Sequence, residues 1–254
     1  MFAENSENLR DASLEVIIVK DSLDDNVQIP NDEYSFDYRV INNEKNQGIQ
    51  KSRVIGLHEA KGDYVVFLDQ DDKIASECLN SQLSAIGRYD FVVANGYSVE
   101  PNGEQIEIFP SLLRQNACLD RKYYYCFADP IRSVGQVMIK KTAIPSEWCV
   151  NILSNIGADD AYLWMLMLEK GKKGVVNPEH VFVYSGKSVS GDYELMKTSF
   201  LEVLDYLKND SARWLIRIAR HKTMLEHNDK SLIVKLRCID AVIMHKIYYW
   251  RYWK

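Results

Sequence analysis

Four short apolar runs alternate with stretches of helical length, and this alternation restricts the chain to a layered α/β fold. Val16-Ile17-Ile18-Val19 is a continuous β-branched run, as in a strand buried on both faces. Tyr38 to Ile41 is a weaker second run, Tyr64 to Leu68 a strong third and Phe91 to Ala94 a fourth. Gln47 to Lys61 and Ser76 to Ile86 have the length of crossover helices. Crossovers of that kind set successive strands parallel, so the pattern predicts a mainly parallel, mixed α/β sheet flanked by helices. Ser52, Gly56 and Ala60 recur every four positions on the first crossover, a row of small side chains that lets a helix lie close to a sheet.

Beyond Asn95 the pattern loosens. Pro101-Asn102-Gly103 reads as a hairpin turn. Ser111 to Ser133, with Tyr123-Tyr124-Tyr125, has no clear period. Gly135 to Lys140 predicts a strand and Asp159 to Gly171 a helix ended by glycine. Val175-Val176 and Val181 to Tyr184 predict two late strands, and everything from Tyr193 onward predicts helix.

Composition excludes several classes. The 254 residues are 46% hydrophobic and 26% charged, ordinary for a globular protein and unlike a disordered or collagenous one. No apolar run approaches the ~20 residues of a membrane span, and no secretory leader is visible at Met1 to Arg10. Five cysteines without a CxxC pair predict reduced, buried thiols, which points to the cytoplasm. The net charge of −5 hides a division: Ser211 to Lys254 holds ten Lys/Arg against three Asp/Glu, and the first 210 residues hold 21 against 33. An acidic body over 1–205 is expected, followed by a basic amphipathic helical extension over 206–254.

The segment with most chemistry is Leu68-Asp69-Gln70-Asp71-Asp72, three carboxylates at the end of a predicted buried strand. In open α/β sheets ligands bind at that edge. Like charges so close repel unless a cation or hydrogen-bond donors compensate. A divalent ion held by one or two carboxylates and completed by phosphate oxygens is one reading; a solvated acidic loop with helix caps is the other.

The whole stretch from Asn46 to Asp72 resembles family 2 glycosyltransferases of the GT-A fold, with Asn46-Gln47-Gly48, then Arg53 and Gly56 on the helix, then Ala60-Lys61-Gly62-Asp63-Tyr64, then Leu68-Asp69-Gln70-Asp71-Asp72. Leu14 to Ser22 resembles the family's next characteristic strand, with Lys20 in place of the usual first Asp and the usual Gly missing. Gly157-Ala158-Asp159-Asp160 through Trp164 resembles its Glu-Asp helix start. The resemblance implies a single inverting displacement from a nucleotide sugar, UDP-linked in most members, to a hydroxyl of a saccharide or lipid-linked acceptor. Asp21, Arg53, Asp69, Asp71 and Asp72 would bind the donor, and Asp71 and Asp72 would hold Mn²⁺ or Mg²⁺. Arg53 would pair with phosphate or the base edge. Asp160, with Asp159 beside it, would be the general base, because adjacent acids raise one another's pKa. A helix N-terminus favouring acids is the structural reading of the same pair.

Family members normally begin with one more apolar strand, which lies centrally and reaches the nucleobase; none precedes the Leu14 strand in this sequence, so either the start is assigned too late or the strand is lost. Its loss would open the donor site, to be covered by a partner strand, a homodimer contact or a rearranged sheet. A catalytically impaired nucleotide-sugar or saccharide-binding protein is therefore the rival reading. A nucleotidyltransferase would need a Gly-rich phosphate loop near the first strand, and none is seen. His58 reads as a surface residue and His180 as a loop residue with metal binding as the alternative. Gly186 to Gly191 reads as a linker or as a loop over the diphosphate, with Lys187 as the phosphate contact. Trp148 and Trp164 read as core or as sugar-stacking platforms. The aromatic, basic end from Ile247 to Lys254 fits either packing on the core or peripheral contact with the inner membrane face. The acidic body and the lack of a recognition motif argue against nucleic acid.

Overall fold

A computed structural model of the chain describes residues 1–21, 34–185, 193–227 and 232–254. The strands are β1 (Glu15–Lys20), β2 (Asp37–Asn42), β3 (Tyr64–Val66), β4 (Lys73–Ile74), β5 (Phe91–Val99), β6 (Gln105–Glu107), β7 (Val137–Lys140) and β8 (Gly174–Tyr184). Helix α1 (Phe2–Asn8) precedes β1, α2 (Ile49–Glu59) precedes β3 and α3 (Cys78–Ile86) precedes β5. Four short or medium helices follow: α4 (Leu112–Gln115), α5 (Arg121–Cys126), α6 (Ser146–Val150) and α7 (Asp159–Glu169). After β8 come α8 (Tyr193–Leu207), α9 (Arg213–His227), α10 (Leu232–Arg237) and α11 (Ile239–Trp253).

The α/β architecture with a mixed sheet and a helical end is as expected, but the pairing is not sequential. Strands β1 and β2 form a parallel pair of their own, and the other six form one sheet in the order β3-β7-β5-β8-β4 with β6 on β5. Only β5 and β8 run parallel within it. Strand β7 returns antiparallel between β3 and β5, so the third and fourth apolar runs do not pair with each other. β7 pairs with Tyr64 to Val66 alone, and Phe67 to Asp69 therefore leave the sheet earlier than the apolar run suggested. The two late strands are one: β8 runs on through Pro178, absorbing it at a register shift opposite Asn95. Gly96 sits at that crossing, where a Cβ would stand 2.0 Å from the Phe182 carbonyl oxygen.

The row of small residues on α2 does what its spacing predicts. A Cβ on Gly56 would lie 3.3 Å from Val19 Cγ2, so the helix rides close on β1. Glu15 ties the end of α2 to β1 by accepting from the amides of Lys61 and Gly62 at 2.6 and 2.7 Å and from Arg39 at 2.9 Å. Burial alone would lift the Glu15 pKa; the two amides and Arg39 outweigh it and hold the carboxylate below its usual range.

The aperiodic stretch 111–133 becomes α4, a 3-10 turn and α5. Tyr123, Tyr124 and Tyr125 are buried, and their hydroxyls are accounted for: Tyr123 accepts from the Trp253 indole at 3.2 Å, and Tyr124 donates to the Cys118 carbonyl and Tyr125 to Glu169, both at 2.9 Å. Tyr248 and Tyr252 of α11 meet the ring of Tyr123 edge-on, at 6.0 and 5.3 Å. One continuous hydrophobic cluster thus runs from Val54 to Tyr252, across the expected boundary at residue 205. Trp148 and Trp164 are fully inside it, which removes both as sugar-stacking platforms. All five cysteines are free, four of them buried. No helix among the described residues is long and apolar enough to cross a membrane.

Candidate active site

A cleft of about 1790 Å³ opens between the β1–β2 pair and the main sheet. Its walls are β1, the inner face of α2, the segment Tyr64 to Asp72, the N-terminus of α7, and Lys222 and Thr223 of α9. All seven expected site residues, Asp21, Arg53, Asp69, Asp71, Asp72, Asp159 and Asp160, line this one cleft. They come from four separate parts of the chain, so the fold rather than the sequence brings them together.

Arg53 is the centre of the arrangement. One guanidinium nitrogen donates to Asp69 and the other to Asp159, each at 2.6 Å. The fork geometry of Arg suits this bridging. Burial opposes the charge on Arg53, but Asp159 and Asp69 overcome it and hold the group more firmly protonated than usual. Arg53 therefore clamps the acidic loop after β3 to the start of α7; it is engaged with carboxylates, not left free for phosphate. Trp148 supports the same corner by donating to the Asp159 carbonyl at 2.9 Å.

The acids after β3 have three different environments. Asp69 is held by Arg53. Asp72 is buried and accepts from the Ser133 hydroxyl and, at 3.4 Å, from the Ser185 amide. Burial pushes its pKa up to about 6, with Ser133 and Ser185 opposing and the charges of Asp69 and Asp71 adding. Asp71 makes no hydrogen bond or ion pair with any described residue. No group of three or more potential metal-ligating side chains exists among the described residues. The donor set here is one free carboxylate, which fits a hard ion whose remaining ligands are phosphate oxygens and water. Asp72, with both oxygens engaged, fits a loop anchor better than a metal ligand.

Asp159 and Asp160 occupy the first turn of α7, where the helix dipole favours acids. Asp160 lines the cleft, and among the described residues it pairs with no cation and its carboxylate accepts only from the Ala161 amide, at 2.7 Å. Enclosure by protein, then the charge of Asp159, push its pKa up to about 7, against the pull of Arg53. Asp21 has a different duty: it accepts from Asn43 at 2.8 Å and from the amides of Gln47 and Gly48 at 2.7 and 2.8 Å. Burial would raise its pKa, but the Gln47 amide, Asn43 and the Gly48 amide hold it low. Asp21 thus fixes the Asn46-Gln47-Gly48 loop that opens α2, where Gly48 has φ +84°.

Three contributors escape a reading of the sequence. Asp129, in the aperiodic stretch, opens into the cleft, where the surrounding protein and Asp160 raise its pKa while Lys222 and Arg132 oppose. Ser133 holds Asp72, and its one local signal is the cap it forms with Gln136. Lys222 lies on α9, in the segment expected to be an appendage, and donates to the Phe127 carbonyl at 3.2 Å. His180 is elsewhere: it lies within β8, 2.6 Å from Glu107 and stacked on Tyr97, so its suggested metal role fails. His58 is exposed, as expected. Lys187 lies outside the described residues.

Comparison with known proteins agrees with this layout. An uncharacterized glycosyltransferase of Haemophilus influenzae is 41% identical over 75 residues, 30% of this chain and 25% of that protein. Another, from Rickettsia conorii, is 22% identical over 205 residues, 78% of this chain and 33% of that protein. The chain thus aligns with a quarter to about a third of these curated relatives' length. Among solved structures, S. aureus TarS 1–349 superposes with a TM-score of 0.57 at 19% identity, covering 95% of this chain and 73% of that one. Its complex with UDP-GlcNAc gives 0.57 at 17% identity, covering 93% and 74%. At such identity the likeness concerns the fold alone. The family model described as glycosyl transferase family 2 matches residues 3–143, more than half of the chain, and the chain belongs to that family.

Proposed function

We propose that the protein transfers a sugar, with inversion, from a UDP-linked donor to a hydroxyl of a saccharide or lipid-linked acceptor. The observation that carries the reading is the division of labour among the cleft acids. Asp69, Asp72 and Asp159 are each satisfied by a protein donor, whereas Asp71 has none among the described residues and the pKa of Asp160 is raised to about 7. Family membership and the UDP-GlcNAc complex of the TarS neighbour support a nucleotide-sugar donor.

Asp71 would hold Mn²⁺ or Mg²⁺ together with the donor diphosphate. When bound, such an ion offsets negative charge on the departing diphosphate. The protein's own residues do the rest. Arg53 fixes the spacing between the donor loop and α7 by gripping Asp69 and Asp159. Asp72 keeps the loop closed onto Ser133. The acceptor oxygen attacks the anomeric carbon as that carbon's bond to the diphosphate oxygen breaks, and the proton passes to the Asp160 carboxylate. Asp129 stands near enough to bias the charge on Asp160.

One observation favours the rival reading, a nucleotide-sugar-binding protein without transfer. Among the described residues strand β1 pairs only with β2 and β3 only with β7, so both turn edges without a described partner into the cleft. Release of UDP from UDP-sugars in the presence of Mn²⁺ and a hydroxyl acceptor, followed alongside UDP binding, separates the two. Transfer predicts release that falls roughly 10²–10⁴-fold in Asp160→Asn with binding retained. Binding of UDP without release in the wild type would establish the rival.

A further inference from the structure

Helix α11 is apolar on two opposite sides. One side packs inward: Ala241, Tyr248 and Tyr252 are buried against α5 and α9, the Tyr252 hydroxyl donates to Asp120 at 2.8 Å, and His245 stacks on Phe127 at 4.5 Å. The other side carries Ile239, Ile243, Ile247 and Trp250, spaced four, four and three residues apart and each 50–61% exposed. That spacing aligns them in a single row. Isolated exposed apolar residues are ordinary, but a row of three isoleucines and a tryptophan signals a missing partner. Helix α10, one residue earlier, adds exposed Ile233 and Leu236.

The charges around the row say what the partner is. Lys246 follows Ile243 by three residues and precedes Trp250 by four, so it stands beside the row; Lys254 follows Trp250 by four and lies 3.6 Å over its ring. Lys235, Arg237, Lys246 and Lys254 are exposed and make no ion pair with any described residue. The one acid of α10 and α11, Asp240, is taken by Arg217 at 3.1 Å and His221 at 2.7 Å. A second copy seated on this row would bring lysines against lysines. An anionic headgroup layer supplies the missing negative charge, takes up the isoleucines, and suits Tyr249, Trp250 and Trp253 at its boundary. Fifteen residues of helix are about 22 Å long, enough to lie on a bilayer and too short to span one.

We propose that the outward row of α11, Ile239, Ile243, Ile247 and Trp250 with Lys246 and Lys254 beside it, docks the protein on an anionic lipid surface. The docking needs no transfer activity, so it stands or falls separately from the proposed reaction. It does hold α9, whose Lys222 and Thr223 line the cleft, next to the lipid, where a lipid-linked hydroxyl is available.

The test is co-sedimentation of the full chain with vesicles of phosphatidylcholine alone and of phosphatidylcholine mixed with phosphatidylglycerol, with light scattering of the protein in parallel. The proposal expects binding to the anionic vesicles that weakens with added salt, and little to the neutral ones. Ile243→Ser with Ile247→Ser should lower the partition about tenfold or more. Lys246→Gln with Lys254→Gln, which leaves the apolar row intact, should lower it roughly tenfold or more, at about fivefold per charge. Ile106→Ser on β6 should change nothing, and circular dichroism should show every variant folded. Absence of binding to anionic vesicles overturns the proposal. So does unchanged binding in both double variants, or a wild-type dimer that Ile243→Ser with Ile247→Ser dissolves while vesicles are ignored.

Discussion

Strands β1 and β5 have nearly the same kind of sequence and very different surroundings. β1 is Glu15 to Lys20 around a Val-Ile-Ile-Val run, and all six of its residues are only half-buried. β5 begins Phe-Val-Val-Ala, and its first six residues are fully buried. β5 has β7 on one edge and β8 on the other, with helices across its faces; β1 has β2 on one edge and the cleft on the other. A continuous apolar run states that a strand wants to be covered. Whether it is covered depends on which strands arrive beside it. In this protein the uncovered strand forms a wall of the cleft, and on the proposed reading donor binding and completion of the fold take place in the same space.

The most severe way to break the comparison is to truncate a side chain in each strand. Phe91→Ala on β5 should cost about 3–5 kcal/mol, and Ile17→Ala on half-buried β1 roughly half the 2–5 kcal/mol of a core site. Urea unfolding of the two variants measures this, and equal losses would mean that β1 is as well packed as β5. Hydrogen exchange tests the same contrast more gently. Amides of β1 should exchange at least about tenfold faster than those of β5, because opening β1 exposes little buried surface. Saturation with UDP and Mn²⁺ should slow exchange in β1 and leave β5 unchanged.

A smaller effect concerns pH. Asp160 must be ionised to accept a proton, and its pKa is raised to about 7, so kcat/KM should climb through neutrality and level off above it. Stability moves the other way. The folded state binds the Asp160 proton more tightly than the unfolded chain, so this group's stabilisation is complete below the ordinary Asp range. It is lost as pH rises to about 7. Asp160→Asn should therefore raise the Tm at pH 8 while removing transfer. Asp72, raised to about 6, adds a loss of the same sign over a lower window. A Tm for Asp160→Asn that falls at pH 8 would show that its charge is stabilising in the cleft.

Local chemistry was readable from the sequence where it is carried by neighbours in the chain. The acids from Asp69 to Asp72, the small row on α2 and the pair at Asp159 and Asp160 all lie within short, patterned segments. What was not readable depends on meetings across the fold. Arg53 read as a contact for phosphate or the base edge, and its bridge between Asp69 and Asp159, 16 and 106 residues away, had no signal in the sequence. Asp72 read as a metal ligand, yet Ser133 occupies it from a stretch with no period. Asp129 and Lys222 carry no motif, and they reach the cleft because α5 and α9 pack together. His180 read as a loop residue between two late strands, where β8 absorbs Pro178 in a register shift and continues.

Calorimetric titration of UDP into the wild-type protein and into Asp71→Ala, each with and without Mn²⁺, tests the central claim most directly. The division of labour among the acids predicts saturable binding to the wild type that is strengthened by Mn²⁺, and loss of that strengthening in Asp71→Ala with the fold intact. Binding that ignores Mn²⁺, or a Mn²⁺ effect that survives in Asp71→Ala, would contradict it.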